Sequence, residues 1–153
     1  MDVINFWLSF VGNITSIIGF VMTVAVWYGV KSLKSFYVAK ATVPRQLQEL
    51  TNLRDEVEGL FSGKFDAPNR DKVVKLLSGA QISVKNLMPK LKEIDKTQYS
   101  AQIEPNAKEF LKSGETFIAN QTKDNARIMN RNLFTFLRSA ELVLNDDNWR
   151  RSQ

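Results

Sequence analysis

The sequence has neither a cysteine nor a histidine among its 153 residues. The first absence excludes disulfides and thiol chemistry, which suits a cytosolic domain. The second removes the side chain that titrates nearest neutrality, and with it histidine acid–base catalysis, Ser-His triads and most transition-metal sites. There is no glycine-rich phosphate loop, no Walker lysine pattern and no dinucleotide fingerprint. The acidic pairs Glu56/Glu58 and Asp146/Asp147 stand one or two residues apart and diverge on a helix, so neither makes a paired-carboxylate site, and Glu104 stands alone. From these absences we expect no enzyme, no cofactor, no bound metal and no small-molecule substrate. No stretch alternates apolar and polar residues over a useful length, so no sheet is expected.

The most telling absence is of charge. From Val3 to Val30 there is no charged side chain. A helix rises about 1.5 Å per residue, so the separation of Trp7 from Trp27 and Tyr28 covers about 30 Å, the depth of a hydrocarbon core, and places aromatic rings at two interfaces. This predicts one transmembrane helix over 5–30 after a short extracytoplasmic segment, 1–4. A secretory leader would have a positive start and an apolar core of about half this length. Lys31, Lys34, Lys40 and Arg45 follow with no acidic residue before Glu49. Cations beside a span stay in the cytoplasm and against lipid headgroups, so the N-terminus is expected outside and the remainder inside, as a single-pass protein of the cell inner membrane.

The expected span also carries a polar stripe. At 100° per residue Ser9, Gly12, Ser16, Gly19 and Thr23 fall on one narrow face, with Asn13 beside it. Small and hydrogen-bonding side chains let helices approach in lipid, and Gly12 and Ser16 form the small-xxx-small spacing. The stripe predicts self-association into a homo-oligomer; the same residues in register would line a narrow pore. The alternative is that these side chains satisfy themselves within their own helix.

After the span, a basic juxtamembrane helix is expected over 31–43, interrupted at Val43-Pro44, and then a cytosolic bundle of about four helices over 44–153, all-α. Leu47, Leu50, Leu53, Val57, Leu60 and Phe61 recur every three or four residues up to Gly63, which is expected to end that helix. Asp66 or Asn69 is placed to cap the next, an apolar helix that Gly79 loosens and Pro89 ends or kinks. Residues 95–105 read as the longest loop, with Tyr99 and Ile103 as anchors. A weaker helix follows to Ala119, and a strong one from Ala126 that stops at the run Asn145-Asp146-Asp147-Asn148. Trp149, Arg150 and Arg151 form either a packing cap or a partner contact.

Net charge is +5, but four cations sit beside the span and the rest are mixed with acids, so nucleic acid is not an expected partner. One pair of residues carries a family resemblance. Arg131-Asn132 on a late helix, with a single span and a helical bundle, resembles the HEPN-type ribonuclease fold and the small membrane-tethered proteins found beside RNA-targeting CRISPR and other antiphage systems. Where that family has a histidine this chain has Phe134, Thr135, Phe136 and Leu137. The resemblance therefore implies interaction or membrane disruption in place of RNA cleavage. The leading expectation is a membrane-anchored, self-associating helical protein whose cytosolic domain binds a protein partner or senses a signal. An oligomeric membrane effector or pore is the alternative, and a tethered nucleic-acid-binding domain the third.

Overall fold

The computed structural model describes the backbone of residues 2–150 and the side chains of 18–31 and 33–145. It is all-α, with no strand among the described residues. Four long helices, α1 (Asp2–Phe61), α2 (Ala67–Ile94), α4 (Glu104–Ala119) and α5 (Lys123–Arg150), are supplemented by a single turn, α3 (Lys96–Gln98), and a π-helical turn, Tyr99–Ile103. The chain divides into two compact units, Met1–Tyr37 and Val38–Gln153.

The second unit is built on one spacing. Its fully or nearly buried residues on α2 are Val73, Leu77, Ala80, Val84, Leu87, Leu91 and Ile94, alternating steps of four and three. Ala107, Phe110, Gly114 and Phe117 repeat the pattern on α4, as do Ala126, Met129, Leu133, Phe136, Ala140 and Val143 on α5. A stripe of period 3.5 faces a neighbouring helix along its length, which is why these helices run side by side around a shared core. From α1 the core takes Ala39, Val43, Leu47, Leu50, Val57 and Phe61, so it begins ahead of Pro44.

Both prolines expected to break helices lie inside them, Pro44 in α1 and Pro89 in α2. Each is exposed, and each is flanked on the buried face, by Val43 and Leu47 or by Leu87 and Leu91. An interior proline costs about 3 kcal/mol. Burying two such aliphatic side chains contributes about 1.5–3 kcal/mol each, so continuing the helix wins.

The segment 95–105 is likewise helical instead of a loop. Asp95 closes α2 and opens α3, its carboxylate accepting from the amides of Thr97 and Gln98 at 2.9 Å. Buried Tyr99, Ile103 and Ala107 then follow four residues apart twice over, a step that drifts off the seam in an α-helix. The wider π turn holds them on one face. Burial, and after it the Glu104 carboxylate, pushes the Tyr99 phenol pKa up. Glu104 is bonded to Lys108 at 2.7 Å, which holds its own carboxyl pKa down and that of the ammonium up.

The helix ends are tied by side chains. Asp66 caps α2 through the Asn69 amide at 3.3 Å. No described glycine has a positive φ, so Gly63 is not a left-handed cap. The end of α1 is closed from the far side of the bundle, where the Lys123 ammonium donates to the Phe61 carbonyl at 2.9 Å and the Gly63 carbonyl at 3.4 Å. Thr122 caps α5 through the Asn125 amide at 3.2 Å, and α5 runs through the acidic run to Arg150 instead of stopping at Asn145. Helix propensity of Asn and Asp is only a few tenths of a kcal/mol below that of the residues before them, so four in a row do not terminate a helix already stabilised by its packed face.

Two glycines make a paired test. A Cβ at Gly79 meets nothing within 4 Å, so Gly79→Ala is expected to stabilise the bundle by up to about 1 kcal/mol through helix propensity. A Cβ at Gly114 would overlap the Gln81 amide and lie 3.0 Å from Met129 Cε. The same change there displaces Gln81 and its 3.3 Å bond to the Leu111 carbonyl, and is expected to destabilise by about 1–3 kcal/mol. Urea unfolding of the two variants reads the opposite signs directly.

Candidate functional site

Two surfaces stand out, one in each unit. In the first unit, residues 18–30 present large apolar side chains all round the helix, among them Phe20 at 71%, Met22 at 67% and Val26 at 64% exposure. A helix that is apolar on every side has no water-facing side. Trp27 and Tyr28 are exposed and meet edge to face at 5.1 Å, with the Lys31 ammonium 5.4 Å from the Trp27 ring centre. Among the described residues no helix is long and apolar enough to cross a membrane, and of the expected span only the side chains of 18–30 are described.

Of the expected stripe, the side chains of Ser9, Asn13 and Ser16, together with Gly12 and the interfacial Trp7, lie outside the described residues. Gly19 has open space around it, and the Thr23 hydroxyl donates to the Gly19 carbonyl at 2.8 Å, satisfied within its own helix. Lys31 and Lys34 are exposed and Lys40 is half-buried. Arg45 belongs to the second unit and pairs with Glu49 at 3.1 Å, one turn on.

In the second unit a pocket of about 490 Å³ opens between α1 and α5, lined by Arg54, Glu58, Arg127, Asn130, Arg131 and Phe134. Two of these are polar side chains set in or beside apolar stripes. Asn130 sits between Met129 and Leu133 on α5 and is only 4% exposed. Arg54, between Leu50 and Val57 on α1, keeps 27% of its side-chain surface and bonds Asp55. Its guanidinium lies 4.9 Å from the Phe134 ring centre, a cation–π contact that holds both side chains against the pocket wall. Arg127 is 5.9 Å from the Phe61 ring centre.

The Asn130 amide nitrogen donates to Glu58 Oε2 at 2.8 Å. A carboxylate accepts only, so this bond fixes which end of the amide is the nitrogen and turns Asn130 Oδ1 away from Glu58. That oxygen is buried and has no hydrogen-bond partner among the described residues. An orphan acceptor of this kind costs about 1–3 kcal/mol.

Arg131 lines this pocket, whereas Asn132 lines a different one of about 280 Å³ between α4 and α5 with Lys112, Ser113 and Asn125. Adjacent residues on a helix point about 100° apart, so the pair that carried the family resemblance is not brought to one place. The residues that do converge, Arg54, Arg127, Asn130 and Phe134, were not singled out from the sequence. The readable sign was a polar side chain at an inward position of an otherwise apolar stripe. Comparison of the chain with protein-family models, with curated proteins and with solved structures gives no match.

Replacing Asn130 by Leu removes the orphan acceptor from the seam and leaves exposed Glu58 to water. Asn130→Leu is therefore expected to raise the unfolding free energy by about 1 kcal/mol or more, measured by urea titration. A loss of stability would show that Oδ1 is satisfied in solution.

Proposed function

We propose that this chain is a membrane-anchored, self-associating helical protein of the inner membrane, whose cytosolic bundle engages a protein partner or senses a signal. The observation that carries the reading is the apolar character of 18–30 on every side of its helix, continuing an uncharged sequence that begins at Val3. Side chains of that kind are stable in hydrocarbon or against copies of themselves, and the anchor supplies both. Lys31 and Lys34, exposed at the end of the uncharged run, are where headgroup contacts belong.

The anchor is favoured over a pore because Thr23, one polar member of the stripe, uses its hydroxyl within its own helix and does not need a neighbouring copy or water. The bundle's role as an interaction or sensing module rests on the pocket between α1 and α5, which holds more polar machinery than packing requires.

Full-length protein is expected to remain in the membrane pellet after alkaline carbonate extraction, with a cytosol-dependent reporter active when fused after Gln153. Release into the supernatant would overturn the anchor. Gly12→Ile is expected to convert an oligomeric band on blue-native gels to a monomeric one. An unchanged band would remove the stripe as the association face.

A further inference from the structure

The lining of the α1–α5 pocket has a net charge of +2, three guanidiniums against the Glu58 carboxylate. Asp55 engages Arg54 from outside the lining. Arg127 and Arg131 have no carboxylate partner among the described residues. They stand one turn apart on the same face of α5, where like charges repel by about 0.2–0.5 kcal/mol. Two guanidiniums without carboxylate partners on one pocket lining favour an anion, since each presents a planar fork that matches phosphate oxygens.

The second observation is the wall: Phe134 is 43% exposed with the Arg54 guanidinium over it, a platform on which an aromatic ring stacks. The volume of about 490 Å³ lies within the range of about 300–1,000 Å³ usual for small-ligand sites.

We infer that this pocket binds a mononucleotide-class ligand, its phosphate monoester between Arg127 and Arg131 and its ring on the Arg54–Phe134 platform. The ligand is held and not transformed, because no group in the lining is poised as a nucleophile or a general acid. This deepens the sensing half of the proposed function and rests on that half alone. The membrane anchor stands or falls by fractionation, which nucleotide binding does not touch.

The test is calorimetric titration of the full-length protein in non-ionic detergent at low ionic strength with AMP, GMP, CMP and UMP in turn, and with inorganic phosphate and adenosine. At least one mononucleotide is expected to bind with unit stoichiometry, phosphate more weakly, and adenosine not measurably. Arg127→Gln and Arg131→Gln are each expected to weaken nucleotide binding by roughly tenfold or more, since each removes a charge-assisted bond. Arg138→Gln, an exposed arginine of the same helix outside the pocket, is expected to leave it unchanged. Thermal melts confirm that these surface variants fold. The inference is overturned if none of the four mononucleotides binds at millimolar concentration, or if the Arg127→Gln/Arg131→Gln double variant binds as tightly as the parent. It is overturned equally if only a single-stranded oligonucleotide or an acidic peptide binds, which would assign the arginines to a macromolecule.

Discussion

Everything in the second unit depends on the helices meeting along seams of alternating four- and three-residue steps. Leu133 and Phe136 on α5, Leu77, Val84 and Leu87 on α2, and Phe110 and Phe117 on α4 are essentially without exposed surface. Each of these aliphatic or aromatic side chains contributes about 1.5–3 kcal/mol when removed from water, so the seam outweighs any single local preference along the chain. Its dominance shows where local rules give way: two prolines stay inside helices, and four consecutive Asn and Asp residues leave α5 intact. The π turn at Tyr99–Ile103 is the same constraint seen from the other side, a change of backbone geometry that keeps the buried face continuous.

Against that background the seam's interruptions carry information. Asn130 and Ser139 are the buried polar side chains of the described core, and they are not equivalent. The Ser139 hydroxyl donates to the Phe136 carbonyl of its own helix at 2.8 Å, a local bond that solves the problem of its burial. Asn130 reaches across to Glu58 on α1, seventy-two residues earlier, and still leaves its oxygen unpaired. A leucine at the same place would pack at no such penalty. Burial of a half-satisfied amide is therefore a cost borne by the fold, and costs of that kind concentrate where a surface has work to do. Of the arginines beside it, Arg54 is bonded to Asp55, whereas Arg127 and Arg131 have no carboxylate partner among the described residues.

How much of this was legible in the sequence follows from which interactions are local. The existence and type of α2 and α5 were, because the apolar residues repeat at helical spacing over many turns and nothing alternates with period two. The cap at Asp66 was, because it is a contact between residues three apart. The ends were not. Whether a helix stops at Pro44, Pro89 or Asn145 depends on what is packed against the next turn, and that partner lies on another helix. The closure of α1 by Lys123 spans sixty-two residues and has no signature in either segment. The pocket failed to show for the same reason: Arg54 and Arg131 become neighbours only once α1 and α5 are side by side, whereas Arg131 and Asn132, adjacent in the chain, face apart.

The first unit obeys a different rule, and the contrast bears on function. On α2 the exposed positions are mostly lysine, asparagine, serine and glutamate, with Ile82 the large apolar exception, so the helix has one wet face and one dry one. Residues 18–30 have no such division, their large apolar side chains lying all round the helix. A seam of period 3.5 buries a stripe and leaves the rest of the circumference in water, which would strand Phe20, Met22 and Val26 whichever way the helix turned. Under the anchor proposed above, an apolar solvent on all sides would remove the difficulty. The chain thus carries seams of period 3.5 on α2, α4 and α5 and an uncharged run before Lys31, and α1 joins the two patterns, its buried positions beginning at Ala39.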